Sequence, residues 1–156
     1  LDLAFHVGQL QDSSYIARRI TALSRFLLAS PGYIEQHGMP ESVDDIANHR
    51  CICYRWPDGS LEDTWHFTDS NIKVFPKLSS NSTNFIRHSM IAGQGLGFLP
   101  LLLAVSALES GELVRVLPDY QSKNEDLWLL YPDRHGVSRA TRLLIDHLLT
   151  EIPKIL

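Results

Sequence analysis

The stretch Gly93-Gln94-Gly95-Leu96-Gly97-Phe98-Leu99-Pro100 constrains this chain more than any other, because of what flanks it. A polar run from Ser79 to Asn84 opens an apolar, helix-like segment over Phe85 to Ala92. The glycines follow, and Leu96 to Leu99 reads as a short buried strand stopped by Pro100. The order is helix, glycine turn, strand. A dinucleotide-binding fingerprint needs the reverse, with glycines after a strand and opening a helix, so that a pyrophosphate can sit on the helix N-terminus. A Rossmann reading is therefore excluded. The anion-binding end of this unit is its front, where Ser80, Asn81, Ser82 and Thr83 offer hydroxyls, an amide and free backbone N–H groups at a helix start.

At 156 residues the chain has the size of one ordinary domain, or of two small lobes that share strands. Its 44% apolar and 21% charged residues suit a globular protein. Fourteen basic against eighteen acidic residues leave a formal charge of −4, the wrong sign for gripping a phosphate backbone unaided. No apolar run reaches the roughly 18 residues that span a bilayer, and the start lacks the basic-then-apolar pattern of a signal peptide. Leu1 to Val7 already reads as a buried strand, which leads us to expect a piece of a longer product.

Further strands are expected at Tyr15–Thr21, Ser24–Ala29, Cys51–Arg55, Thr64–Thr68, Ile72–Leu78, Leu113–Leu117 and Leu127–Tyr131. Ser30 as N-cap and Pro31 behind it predict a short helix over Gly32–His37, and another starts at Ser42 and finishes at His49. Helices follow at 83–92 and at 100–109, the second closed by Gly111. A last helix runs from a Ser138 cap to Glu151, with Leu144, Leu148 and Ile152 on one stripe. Strands and helices in alternation mean an α/β fold. There is no internal repeat and no low-complexity linker.

Catalysis finds little support, since the sequence holds no HExxH, GxSxG or P-loop pattern. Asp44-Asp45 sit in an expected first helical turn, where carboxylates favour the helix dipole. His49, Cys51 and Cys53 share one strand face and are three possible metal ligands, but a structural zinc site wants a fourth at recognisable spacing. Buried thiols in a reduced, cytoplasmic setting are expected instead, with no metal and no cofactor. Trp56, Trp65 and Trp128 are read as core, Gly95 and Gly97 as points of close packing, and Arg18-Arg19 as a solvated strand edge.

Several stretches in one order resemble a known family. They are Leu1-Asp2-Leu3-Ala4 with Gly8, Asp12-Ser13-Ser14-Tyr15-Ile16-Ala17-Arg18-Arg19, Ala29-Ser30-Pro31-Gly32-Tyr33-Ile34, His37-Gly38-Met39-Pro40 and His49-Arg50-Cys51. After these come Trp65-His66-Phe67, Ser80-Asn81-Ser82, Ala92 to Gly97, Leu99-Pro100 and Gly111 to Pro118. Together they resemble the effector-binding domain of LysR-type transcriptional regulators, from Leu1 to about Leu149. The resemblance implies a fold like that of type 2 periplasmic binding proteins: two α/β lobes, joined by two crossover strands, with a small-molecule cleft between them.

Carried onto this sequence, the resemblance makes 25–30 and 125–131 the crossover strands and 31–124 an intact lobe II. Residues 1–24 and 132–156 become the rear part of lobe I, whose first part is missing together with an N-terminal winged helix-turn-helix. DNA would then be reached only through that missing head. Exposed apolar surface is expected unless a partner chain covers it, and the family implies self-association as a dimer or tetramer. A small polar or anionic effector would meet Ser80, Asn81, Ser82 and Thr83, with Phe98 lining the cleft. His6 and Gly8 would join them from the end of the first strand, where parallel sheets place ligands at their carboxyl edge. The expected function is effector sensing in a bacterial regulator, with no enzymatic activity and no membrane partner. A periplasmic solute-binding protein of the same fold is the alternative.

Overall fold

A strand apolar at every position must be covered on both faces, and the run Phe26-Leu27-Leu28-Ala29 lies in the central strand of one of the molecule's two three-stranded sheets. The computed structural model describes residues 3–8, 10, 14–132 and 137–155. In chain order its elements are β1 (Ala4–Val7), β2 (Ile16–Leu23), β3 (Arg25–Ala29), α1 (Pro31–His37), a 3-10 helix (Asp44–Asn48), β4 (Cys51–Tyr54), β5 (Thr64–His66) and β6 (Asn71–Lys73). They continue with β7 (Pro76–Ser80), α2 (Thr83–Ile91), β8 (Gly97–Pro100), α3 (Leu101–Glu109), β9 (Val114–Arg115), β10 (Glu125–Tyr131) and α4 (Arg139–Ile155). The chain divides into two compact units, one of Leu1–Leu23 with Asn124–Leu156 and one of Ser24–Lys123.

In the second unit β3 is flanked by β8 and β9, both antiparallel to it. Strands β4 and β7 form a parallel pair. Ile52 N–H donates to Leu96 O, and Leu96 N–H to Arg50 O, each at 2.9 Å, which stitches β4 to the segment entering β8. Period-two alternation sorts side chains to two faces. Leu27, Cys51, Cys53 and Phe98 join Tyr33, Ile46, Trp65, Val74 and Val116 in one core cluster. Their immediate neighbours Leu28, Ile52 and Leu99 face the other way, onto Ile86 and Met90 of α2 and Ala104 and Ala107 of α3. Two glycines permit this stitching. A Cβ on Gly95 would lie 2.3 Å from the Arg50 carbonyl oxygen, and one on Gly97 would lie 2.9 Å from that of Ile52.

In the first unit the sheet order is β1-β10-β2, antiparallel throughout, with a bulge between Leu127 and Trp128. Helix α4 lays Ile145, Leu148, Leu149 and Ile152 against Ile20, Leu127, Leu129 and Tyr131, the i, i+3, i+4, i+7 stripe of a helix buried on one side. Phe5, Leu143 and Leu144 stay exposed at 52%, 63% and 48%. Among the described residues no helix is long and apolar enough to cross a membrane.

Several sequence expectations need correction. Of the stripe expected on α4, Leu148 and Ile152 do pack against the sheet, but Leu144 is exposed and Ile145 is the buried position in the preceding turn. The helix also runs past Glu151 to Ile155, through Pro153. A proline in a last turn removes one N–H donor close to a helix end, where few hydrogen bonds remain to be lost. The expected strand Ile72–Leu78 is two strands, because Val74 dives into the core while Phe75 is 74% exposed and Pro76 brings no N–H. The expected strand Leu113–Leu117 is reduced to Val114–Arg115, since Leu117 takes a left-handed φ of +50°. Ser42–His49 tightens into a 3-10 turn over Asp44–Asn48, and Trp56 is 39% exposed rather than core.

Candidate functional site

Parallel strands end side by side, so whatever follows them is gathered at one sheet edge. Here Tyr54 of β4 pairs with Ser80 of β7, the last residues of their strands, and α2 begins three residues later. Ser82 is the N-cap: in extended conformation, its Oγ accepts the Phe85 N–H at 3.3 Å. Ser80 Oγ accepts the Ser82 N–H at 3.1 Å, which pins the turn into the helix. Asn81 and Ser82 are exposed, and Ser80 and Thr83 are half-buried. The four expected contacts of this segment therefore converge on one helix start.

Arg55 was not singled out by sequence reasoning, yet it stands beside them. Its backbone N–H donates to Ser80 O at 2.9 Å, and its guanidinium donates to Ser79 Oγ at 2.9 Å and Gly59 O at 3.1 Å. The missed signal is the parallel register, which no periodicity reveals: it sets the residue after β4 beside the residue that ends β7. Hydroxyls, an exposed amide, first-turn N–H groups and a guanidinium make this edge suited to a carboxylate or other polar anion. The helix dipole adds about 0.3–1 kcal/mol for a negative charge at such a position.

The other expected contacts lie elsewhere. Phe98 is 8% exposed in the core of the second unit, edge-on to Trp65 at 5.1 Å and tilted against Phe67 at 5.5 Å, with the Arg25 guanidinium 5.2 Å from its ring centre. His6 and Gly8 belong to the first unit. The rationale for them does not hold, because β1 pairs antiparallel with β10, and the described parallel pair is β4 with β7. Gly8 serves the turn: its φ is +92°, its N–H donates to Asp126 O at 3.0 Å and its carbonyl accepts the Trp128 indole N–H at 3.0 Å.

Cys51 and Cys53 are free and buried, and burial pushes both thiols up to about 12. His49 Nδ1 faces the Tyr33 hydroxyl at 3.2 Å. Among the described residues no group of three or more His, Cys, Asp or Glu side chains is placed to hold a metal. Asp45 caps its own turn, accepting from Ser42 N–H at 2.8 Å and Ser42 Oγ–H at 2.9 Å. These bonds hold its carboxyl below the usual range. A cavity of ≈ 370 Å³ lies between the Phe67–Ser70 turn and Asp119–Gln121 in the second unit, and one of ≈ 280 Å³ lies in the first unit.

Comparison with known proteins accounts for this architecture. The family model for the LysR substrate binding domain matches residues 1–153. The HTH-type transcriptional regulator CrgA of Neisseria meningitidis serogroup C (strain 8013) is 31% identical over 157 residues, covering 97% of this chain and 52% of CrgA. The HTH-type transcriptional activator AaeR of Escherichia coli (strain K12) is 29% identical over 151 residues, covering 95% of this chain and 48% of AaeR. The chain thus spans about half the length of the curated relatives it matches.

The solved regulatory domain of Neisseria meningitidis CrgA superposes with a TM-score of 0.83 at 28% identity, over 97% of this chain and 75% of that one. The full-length Vibrio cholerae virulence activator AphB gives a TM-score of 0.79 at 27% identity, over 95% and 51%. The fold is accordingly α/β of the type 2 periplasmic-binding-protein-like kind, and relatives that are transcriptional regulators disfavour the solute-transport alternative. With the family match spanning nearly all of its length, this chain belongs to the LysR substrate-binding domain family.

Proposed function

We infer that this chain is the effector-sensing part of a cytoplasmic, non-enzymatic LysR-type regulator, and that its α2 start is where a small polar or anionic metabolite is held. The observation that carries this reading is the convergence of Ser80, Asn81, Ser82, Thr83 and Arg55 at the carboxyl edge of β4 and β7. Ser82 Oγ is spent on capping, so recognition falls to the Asn81 amide, the Thr83 hydroxyl and the first-turn N–H groups. Phe98 supports the floor of the second unit rather than the ligand itself. His6 and Gly8 stay in the proposal as residues of the first unit to be substituted.

Effector occupancy would bias two states of the whole regulator, which requires different affinity for each. DNA contact would come from a winged helix-turn-helix on the same polypeptide, in a dimer or tetramer. The test is a panel of small carboxylates and other polar metabolites, screened by thermal unfolding on the full-length polypeptide. At least one compound should raise the melting temperature and alter operator binding, and Asn81→Ala should abolish both effects while leaving the ligand-free melting temperature unchanged. If no compound acts, or if Asn81→Ala responds like the wild type, the reading fails.

A further inference from the structure

Arg18 and Arg19 are adjacent in sequence and have opposite fates. Arg19 crosses to Asp126, with Nε 2.6 Å from a carboxylate oxygen. Arg18 points to the other face of β2, as strand alternation requires. That is the face of Ile16 and Ile20, which pack with Leu129 and Ile145 under α4, and Arg18 stands directly opposite Leu129 in the register. A guanidinium thus occupies a position whose neighbours two residues away on either side are core. There it borders the cavity of ≈ 280 Å³, together with Tyr131 of β10, Val137, and Arg142, Ile145 and Asp146 of α4 or its approach.

A second guanidinium therefore reaches the same cavity from a different element. The Arg142 backbone N–H donates to Ser138 O at 3.0 Å, but among the described residues neither the Arg18 nor the Arg142 guanidinium has a hydrogen-bond or ion-pair partner. Two like charges facing one cavity repel, and Asp146 is the one carboxylate on its wall among the described residues. Among the described lining residues the balance is net positive, over the buried Tyr131 and Ile145. An inward charge on an edge strand can by itself discourage sheet-to-sheet aggregation. That accounts for Arg18 alone and leaves Arg142 unexplained.

We propose that this cavity in the first unit is an oxyanion site, in which the Arg18 and Arg142 guanidiniums hold a phosphate or carboxylate group by charge-assisted hydrogen bonds. Planar guanidinium forks match such groups bidentately, and here a strand and a helix bring two of them to one cavity. The volume falls just below the roughly 300 Å³ at which drug-sized ligand sites begin, which favours a small ion or the end group of a larger molecule. This site is built from residues of the first unit alone and does not depend on the effector reading.

The test titrates inorganic phosphate, acetate and chloride into the full-length polypeptide at fixed ionic strength and reads the melting temperature. Phosphate, acetate or both should stabilise where chloride does not, and the pattern says whether a tetrahedral or a planar oxyanion fits. Arg142→Gln should weaken the response about tenfold or more, and Arg142→Lys, which keeps charge without the fork, should fall between. Arg139→Gln, one turn earlier on α4 and not on the cavity wall, should respond like the wild type. Arg18→Gln should match Arg142→Gln; if it fails to fold, the exposed Arg142 variants decide the matter alone. A response equal for all three anions, or one that Arg142→Gln retains in full, overturns the proposal.

Discussion

Tyr33 and His49 share a hydrogen bond, 3.2 Å from the phenol oxygen to Nδ1, whose direction is set by a third group. The Arg50 N–H donates to the same oxygen at 2.9 Å. The phenol proton is thereby left for His49, and the network assigns the imidazole as the neutral Nε2–H tautomer. Tyr33 is 1% exposed, and His37 stacks on its ring at 4.3 Å.

Protonating His49 would cost this arrangement its acceptor. Burial, then the neighbouring His37, holds the His49 pKa below its ordinary 6.5, and Asp45 opposes them in part. Between the folded and unfolded values the unfolded chain carries a proton that the folded chain does not. Stability from this group is therefore complete above the ordinary value and is lost as pH falls below it. Melting temperatures taken from about pH 7.5 to about pH 5.5 should fall, and the fall should be smaller in His49→Gln, which keeps an acceptor and cannot titrate. Equal falls in both proteins would contradict the assignment.

Gly95→Ala should destabilise the second unit by about 2 kcal/mol, since the added carbon meets a backbone oxygen that β4 cannot withdraw without breaking its link to Leu96. Gly32, in the first turn of α1 with nothing within 4 Å of its would-be Cβ, is the matched control. Gly32→Ala should gain about 0.5 kcal/mol from a less flexible unfolded chain. Urea midpoints at constant slope separate the two outcomes.

Arg25 and Glu62 form a two-pronged ion pair, with Nη1 on Oε1 and Nη2 on Oε2, the latter at 2.9 Å. Their side chains are 13% and 16% exposed, and the guanidinium also lies over Phe98. Glu62→Gln should cost about 1–3 kcal/mol, because a half-buried guanidinium loses a charged acceptor. Chemical denaturation should show this as a lower midpoint, and a change of under about 0.5 kcal/mol would mean that water replaces the carboxylate freely.

Cys51 and Cys53 should resist thiol reagents at neutral pH. Each thiol is 1% exposed and pushed up to about 12, so the reactive thiolate is scarce in the folded state. Labelling should proceed only as fast as the protein opens, and both cysteines should react at once in denaturant. Rapid labelling of either in native buffer would contradict the burial.

Local chemistry made much of this legible in advance. The Ser30-Pro31 cap, the Gly111 stop and the doubly apolar β3 each announce themselves within a few residues. So does the tip at Ser80 to Thr83, because a cap is a local device. What escaped depends on distant partners. Strand β7 parts from β6 because it pairs with β4, and Arg55 reaches the tip through that same pairing. The parallel-sheet rationale for His6 failed because strand direction cannot be read from alternation: the same pattern serves parallel and antiparallel neighbours. On α4 a run of Leu143-Leu144-Ile145 offers three phases, and only the facing Leu129 and Tyr131 choose among them.

Ser122 Oγ donates to the carbonyl of Arg25 at 2.6 Å. Entry and exit of the segment Ser24–Lys123 are therefore fastened to each other. Such a segment behaves like an insert: evolution or an engineer can lift it out, replace it, or rejoin its neighbours without leaving long severed ends.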